Sequence, residues 1–558
     1  MTRRRLAGIP GAPGIAFGPL AIFDRRHVSP AQDDLPPDAA LERFTTARAA
    51  VQTHLQQLGA ELRAEGKHEE AAIFDAQAML AADPALESEV RRLIADEGRS
   101  LDAAIAAAIA RMAETLGALD DPYLRDRAAD VQAVGEELRS RLRGVAGALD
   151  VPAGSIVVAH DLTPAQTATL RKRQIAGFAT AGGTATGHVA ILARALDIPA
   201  VVGLGEALFE LPDGAPAILA ADEGVLIVEP TSRDRTRYES RRESLRTAAQ
   251  RLAALRDQPA MTTDGQRVQL WANIGHPDEA AIALQYGAEG IGLFRTEFLF
   301  LDRASPPGED EQCAAYSAAL RIMRPHPVIV RTLDIGGDKP IPYLPALHEA
   351  NPFLGARGLR FGMRFVDLFR TQLRALLRAA TAGDLRIMLP MVATVDDLIW
   401  ARNELAAAVE SLTTDGVSHR ADVPLGMMIE TPAAAVALDL FAPQIAFCSI
   451  GSNDLAQYTL AADRTDADLS RRYRHDDPAV LRLIEIAARA ANAAGIEISL
   501  CGELGADPGM AIVLLGLGVG KLSMSPTAIP RVKEAIRAVA SDDARARAAQ
   551  ATHRPPFT

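Results

Sequence analysis

The sequence predicts an α/β multidomain protein: a small α/β domain carrying an inserted helical bundle, then a carboxyl-terminal (β/α)8 TIM barrel. Three observations predict it. A chain of 558 residues exceeds what one compact core accommodates, so about two to four domains are expected. From Asp38 to Arg143, Ala, Leu, Ile and Met recur at three- and four-residue spacing between Glu, Arg and Gln, the period of amphipathic helices. From Met261 onward, strand, turn and helix alternate eight times over a length that suits a (β/α)8 barrel with insertions.

The elements follow in order. Apolar residues from Gly14 to Phe23 predict a strand of the small sheet, which makes the helical region an insertion. Breaks near Gly66, at Asp83-Pro84, at Gly98-Arg99-Ser100 and at Asp121-Pro122 divide that insertion into four or five helices. At Val151 the texture changes. Ser155–Ala159, Ala200–Val202 and Val225–Val228 are short β-branched runs separated by Gly- and Pro-marked turns. Thr231 to Asp257 is rich in Arg and Glu and poor in large apolar residues, which predicts a linker helix. The expected division is 1–25 with 145–230 for the small α/β domain, 26–144 for the helical insertion, 231–258 for the linker and 259–558 for the barrel.

Bulk properties narrow the class. The net charge of −12 disfavours nonspecific nucleic-acid binding and suits a partner with a basic surface. The cysteines Cys313, Cys448 and Cys501 form no closely spaced pair, which argues against a disulfide framework or a zinc site and fits a reducing compartment. Pro10, Gly11, Pro13 and Gly14 interrupt the apolar stretch after the basic amino terminus, so no secretory signal is expected. No run of about 18 apolar residues predicts a membrane span. The expectation is a cytoplasmic protein.

The predicted barrel strands are Val268–Ile274, Gly290–Arg295, Val328–Asp334, Arg386–Met391, Pro424–Glu430, Gln444–Ile450, Glu497–Cys501 and Lys521–Met524. An open doubly wound sheet gives the same alternation, but nearly every strand here ends in a residue able to do chemistry, and barrel active sites gather at those ends. The ends supply Asn273, Arg295, Arg331 with Asp334, Met391, Glu430, Asn453 with Asp454, and Cys501 with Glu503; Arg464 follows the sixth strand. Three arginines facing two carboxylates predict an anionic substrate bearing phosphate or carboxylate. Glu430 and Asp454 offer hard oxygens suited to Mg2+; pairing with the arginines is the other reading of the same acids. Cys501 is either a packed core residue or, beside cations that lower its pKa toward neutrality, a general acid or base.

Thr184-Ala185-Thr186-Gly187-His188 precedes an amphipathic helix, Val189 to Leu196, that ends at Asp197 and Pro199. Thr186 as amino-terminal cap places His188 in the first turn, where the helix dipole favours a neutral imidazole and welcomes phosphate oxygens. A capping or surface histidine gives the same pattern. In the helical insertion, Glu69, Glu70, Asp75, Asp83, Glu87 and Glu89 form an acidic run without Lys or Arg between Glu69 and Glu89, interleaved with Ile73, Phe74, Met79 and Leu80. Such a run is either a solvated face or a patch that steers a basic partner.

These residues carry a family resemblance. Gly292-Leu-Phe-Arg295-Thr-Glu-Phe-Leu-Phe, Arg331-Thr-Leu-Asp-Ile-Gly-Gly-Asp-Lys339, Glu430-Thr-Pro-Ala-Ala-Ala, Ser449-Ile-Gly-Ser-Asn453-Asp454-Leu-Ala-Gln-Tyr-Thr-Leu, Cys501-Gly-Glu-Leu and the segment from His188 to Ala200 resemble enzyme I of the bacterial phosphoenolpyruvate-dependent sugar phosphotransferase system, across essentially the whole chain and in order. The resemblance implies a phosphoenolpyruvate-protein phosphotransferase whose small α/β domain is a swivelling phosphohistidine domain. It implies that His188 is the phosphorylated nucleophile and that Cys501 protonates the enolate to give pyruvate. Arg295, Arg331 and Arg464 would hold phosphoenolpyruvate with Arg357 and Lys339 assisting, Asn453 would contact the phosphate, and Glu430 and Asp454 would bind Mg2+. The helical insertion would dock the carrier protein HPr, with Glu69, Asp75, Met79 and Asp83 as candidate contacts, and the barrel would form a homodimer. The alternative role is a regulatory phosphocarrier that uses phosphoenolpyruvate without supporting sugar transport. One departure stands out: where the family reads Gly-Gly-Arg-Thr-Ser-His, this chain has Thr184, Ala185, Thr186 and Gly187 before His188, so the hydroxyl beside the nucleophile is lost.

Overall fold

A computed structural model describes residues 3–23, 35–65, 67–118, 122–143, 151–184, 187–301, 303, 305–336, 341, 343–345, 349–464 and 466–553. The chain forms two compact units, Met1–Thr247 and Ala248–Thr558.

The first unit is organised by the strand Ile15–Phe23, which changes partners halfway. Ile15 to Pro19 pair antiparallel with Pro216–Ala220, whereas Leu20 to Phe23 pair parallel with Ile156–Ala159. The full order is Arg4–Ala7, Val225–Val228, Pro216–Ala220, Ile15–Phe23, Ile156–Ala159, Gly177–Thr180, Ala200–Val202 and Ile9–Ala12. Sequence pattern found the strand at Ile15–Phe23 and those at Ile156–Ala159, Ala200–Val202 and Val225–Val228. It missed Gly177–Thr180, which is buried on both faces and shows no alternation, Pro216–Ala220, which opens on a proline, and the short edge strands Arg4–Ala7 and Ile9–Ala12, where the prolines and glycines suggested a loop.

The chain leaves this sheet at Phe23 and rejoins it at Ile156. Between them lie the helices Pro37–Ala64, His68–Ala81, Pro84–Ala95, Leu101–Gly117 and Pro122–Leu142. Phe44, Val51, Leu55, Leu58 and Leu62 of the first helix are buried together with Val90, Ile105, Val131 and Leu138, as the three-and-four spacing requires. Gly135 lets the last two helices cross closely, since a Cβ there would lie 2.7 Å from Ile109 Cγ1. The mostly exposed helix Ser232–Ala254 follows the sheet; Tyr238, its one buried residue among those described, donates its hydroxyl to Glu223 at 2.8 Å.

In the second unit the strands Arg267–Ile274, Ile291–Phe294, Val328–Arg331, Leu385–Leu389, Leu425–Ile429, Phe447–Ile450, Glu497–Leu500 and Lys521–Met524 run parallel. The first pairs with both the second and the last, closing the barrel. Several strands stop short of the expected carboxyl ends: Asp334, Met391, Glu430 and Cys501 all follow the last paired residue. The chain is already turning there, with Met391 at φ +55°, and that turn releases side chains from the ladder into the mouth. Trp271, Leu293, Ile329, Met388, Met428 and Phe447 fill the barrel interior, and Cys501 tops that packing. At the opposite end, Glu497 pairs with Lys521 at 2.5 Å and Arg386 at 3.2 Å, beneath Trp271.

Candidate active sites

The barrel mouth holds a cavity of about 300 Å³. Arg295, Arg331, Arg357 and Arg464 line it, together with Glu297, Asp334, Glu430, Asp454, Glu503, Asn453 and Cys501. The expectation of three arginines facing two carboxylates is therefore corrected: the loops after the strands bring in further acids. Arg331 donates Nη2 to Glu297 at 2.8 Å and pairs with Asp334 at 3.0 Å. Arg357 grips Asp334 through Nε and Nη2, each at 3.2 Å, and Asp454 through Nη1 at 2.7 Å. Burial opposes charge on both guanidiniums, but the surrounding carboxylates outweigh it and hold their pKa above the ordinary arginine value. These two arginines are buried and ion-paired within the rim, whereas Arg295 and Arg464 are exposed at its edge. Arg464 stands 3.6 Å from Asp454.

Glu297 is the rim residue that sequence reasoning left unassigned. It is buried, and its Oε1 accepts from Arg331 and from the backbone N–H of Asp334 at 3.1 Å, which ties the second and third strand ends together. The signal was its place two residues after Arg295, just past the second strand.

Both readings of the paired acids meet here. Asp454 is paired with Arg357, while Glu430 accepts the Met391 N–H at 2.9 Å through Oε2 and lies against Gly451, where a Cβ would fall 2.8 Å from Oε1. Burial, then the charges of Asp454 and Asp334, hold the Glu430 carboxyl well above its usual range, as befits an acid crowded by acids. Asn453 Oδ1 is shielded from solvent without a hydrogen-bond partner. The donor set of two hard carboxylates with a spare amide oxygen nearby suits a small divalent cation. Among the described residues no group of three or more His, Cys, Asp or Glu converges as a metal cluster.

Cys501 is held from two sides: its carbonyl accepts from Asn273 Nδ2 at 2.9 Å, and its Sγ lies 3.7 Å from the Ile450 carbonyl. Of the two readings of this residue, the packed one holds for its surroundings, and the fall in pKa that the other invoked does not occur. Burial pushes the thiol up to about 11, beyond what Arg331 and Arg295 offset, so it stays protonated at neutral pH. A thiol in that state has a proton to give. Lys339 lies outside the described residues, and Met391 is buried and serves through its backbone.

In the first unit His188 opens the helix His188–Ala195. The cap falls at Gly187, which is extended and whose carbonyl accepts from Ala190 and Ile191; Thr186 lies outside the described residues. His188 is partly exposed and borders a cavity of about 500 Å³. Gln77, Ile109 and Arg139 of the helices line this cavity opposite Asp161, Thr163 and Thr184. His188 Nδ1 sits 3.3 Å from Asp130 Oδ1, a neighbour that sequence pattern alone did not single out.

The acidic run of the insertion is less bare than its sequence. Asp75 pairs with Arg63, Glu87 with Arg48 at 2.8 Å, and Glu89 with Arg111 at 2.5 Å, all arginines from outside the run. Asp83 caps the helix Pro84–Ala95 by accepting from the Ala85 N–H at 2.8 Å. Phe74 is core, Met79 is 72% exposed, and the Glu69 side chain lies outside the described residues.

Three family models match this chain: "PEP-utilising enzyme, N-terminal" over residues 7–127, "mobile domain" over 151–224 and "PEP-binding domain" over 249–541. A phosphoenolpyruvate-protein phosphotransferase of Bacillus sp. (strain S) is 40% identical, covering 97% of this chain and 94% of its own. That of Bacillus subtilis (strain 168) is 37% identical, covering 97% and 95%. The multiphosphoryl transfer protein of Rhodobacter capsulatus is 43% identical over 96% of this chain, which spans 64% of that protein's length. The chain belongs to the PEP-utilising enzymes, in the phosphoenolpyruvate-protein phosphotransferase family.

Proposed function

We propose that the protein takes the phosphoryl group of phosphoenolpyruvate onto His188 and passes it to a histidine of the carrier protein HPr. The observation that carries this reading is the barrel mouth, where four arginines line a cavity floored by the buried Cys501 thiol. Arg295, Arg331 and Arg464 bind the phosphate and carboxylate of phosphoenolpyruvate, Arg357 and Lys339 assist, and Asn453 turns its amide to the phosphate. Glu430 and Asp454 hold Mg2+, whose chemistry there is neutralisation of charge on the phosphate and enolate oxygens. A ring nitrogen of His188 bonds to phosphorus as the bond from phosphorus to the enol oxygen breaks. The enolate takes a proton at its methylene carbon from the Cys501 thiol and leaves as pyruvate, and the thiolate left behind faces Arg331 and Arg295.

The helix Ser232–Ala254 connects the two halves of this cycle along the chain, and the inserted helices receive HPr. Among the described residues no helix is long and apolar enough to cross a membrane. As part of the same proposal, the protein works in the cytoplasm as a homodimer through its barrel and drives sugar uptake. Incubation with phosphoenolpyruvate labelled in its phosphate, with Mg2+, tests the reading: an acid-labile label maps to His188, and His188→Ala carries none. Label elsewhere, or none on the unaltered protein, ends it.

A further inference from the structure

Behind the strands that carry Arg295 and Arg331 lies a buried polar network that the proposed phosphoryl transfer does not use. Gln372 of the helix Val366–Ala379 is 1% exposed, and Thr296, Tyr316 and Gln312 around it are fully buried. Gln372 Oε1 accepts from the Leu333 N–H at 2.9 Å. Its Nε2 donates to Thr296 Oγ1 at 3.2 Å and to the Tyr316 hydroxyl at 3.1 Å. Thr296 in turn donates to the Arg331 carbonyl at 3.0 Å, and Tyr316 donates to Gln312 Oε1 at 3.1 Å. Gln312 closes that branch by donating to the Pro307 carbonyl at 3.1 Å.

One group sets the direction of every bond. The Leu333 N–H can only donate, so it fixes the Gln372 amide oxygen on its own side and turns both amide hydrogens toward the two hydroxyls. Each hydroxyl oxygen, having accepted one hydrogen, sends its own onward. The branches differ in where they lead. Thr296 stands between Arg295 and Glu297, and Leu333 directly precedes Asp334, so the Thr296 branch ties the end of Ile291–Phe294 to the end of Val328–Arg331. The Tyr316 branch runs away from the mouth, along the helix Glu309–Met323. A buried network with its donors and acceptors matched holds the backbone it touches in one arrangement. We propose that Gln372 and Thr296 are positioning residues of the barrel mouth, locking its second and third strand ends together so that Arg295 and Arg331 keep the separation an anionic substrate requires; this rests on the reading above that phosphoenolpyruvate binds there.

Initial rates of pyruvate formation at saturating HPr, with phosphoenolpyruvate varied, test it on the full chain. Thr296→Val and Gln372→Met raise KM for phosphoenolpyruvate at least about tenfold, whereas Thr296→Ser, which keeps the hydroxyl, stays within about twofold of the unaltered protein. Tyr316→Phe cuts only the branch leading away and also stays within about twofold. KM does not depend on how much of the protein is folded, so a merely structural role lowers the maximal rate and the melting temperature and leaves KM in place. An unchanged KM in Thr296→Val overturns the proposal, as does an equal rise in Thr296→Ser or Tyr316→Phe. Should Thr296→Val fail to fold, Gln372→Met against Tyr316→Phe decides by the same comparison. Failure of the unaltered protein to make pyruvate from phosphoenolpyruvate removes the function proposed above. Calorimetric titration with inorganic phosphate then decides the positioning: Kd about tenfold weaker in Thr296→Val supports it, and an unchanged Kd overturns it.

Discussion

Arg357 and Asp454 form a buried ion pair of the barrel rim, Nη1 to Oδ1 at 2.7 Å. Arg357 also holds Asp334, so one guanidinium compensates two carboxylates taken out of water. Removing one partner of a buried pair leaves the other charge uncompensated, at a cost of roughly 3–5 kcal/mol. Arg357→Ala is expected to lower the urea midpoint of the barrel unit accordingly. Arg464→Ala, removing a side chain 41% exposed and 3.6 Å away, is expected to cost no more than about 1 kcal/mol while weakening phosphoenolpyruvate binding. Equal stability losses in the two variants would contradict this division of labour.

Cys501 titrates far from neutrality. Burial raises its pKa to about 11, so the folded protein favours the thiol and the reactive thiolate emerges only as pH climbs toward that value. Alkylation of Cys501 by iodoacetamide, mapped by mass spectrometry, is expected to rise about tenfold per pH unit from 7 toward 11. In urea the same residue reacts at ordinary thiol rates. Cys501→Ala is expected to cripple pyruvate formation, measured with lactate dehydrogenase. Rapid alkylation of the folded protein at pH 7 would remove the proton-donor role.

The barrel was legible because the strands are compact apolar runs, nearly all with a polar residue at or just past the carboxyl end, and Lys521–Met524 appears with its expected bounds. Electrostatic balance was not. Glu297 and Asp334 neutralise Arg331 from separate loops, and that convergence is a property of the closed barrel with no counterpart in local spacing. Cys501 shows the same limit: its arginine neighbours were readable, but the burial that outweighs them belongs to the packed interior. In the first unit, Asp130 stands 58 residues before His188 and reaches it only through the packing of the inserted helices on the sheet.

Gly502 joins Cys501 to the rest of the rim at close quarters. A Cβ there would lie 1.8 Å from Ser452 Oγ and 2.8 Å from the Ser452 backbone nitrogen, directly before Asn453 and Asp454. Gly502→Ala must displace one of these loops, and misplacing reacting groups by about 1 Å costs on the order of 10²-fold in rate. A loss of that size in self-phosphorylation is expected, with partial recovery in Gly502→Ala/Ser452→Gly, which removes the hydroxyl but not the backbone contact. Wild-type rates in the single variant would show that the loops yield freely.

Met79 is the residue expected to separate docking from chemistry in the proposed transfer to the carrier. Its side chain is 72% exposed on the helix His68–Ala81, whereas Phe74 on the same helix is buried in the core. The nearby acids already have work: Asp75 is paired with Arg63, and Asp83 caps the next helix, a role worth about 1 kcal/mol of stability. Reversing Asp83 therefore weakens the fold as well as any interface, and Met79 is the cleaner probe. Exposed apolar anchors of an interface typically lose about 1–2 kcal/mol on truncation, or roughly tenfold in affinity. Met79→Ala is expected to raise KM for HPr about tenfold and to leave self-phosphorylation from phosphoenolpyruvate unchanged, both read by phosphate transfer under initial-rate conditions. An unchanged KM would place the carrier on another face of the helices, and a parallel fall in self-phosphorylation would mean that Met79 supports the histidine site itself.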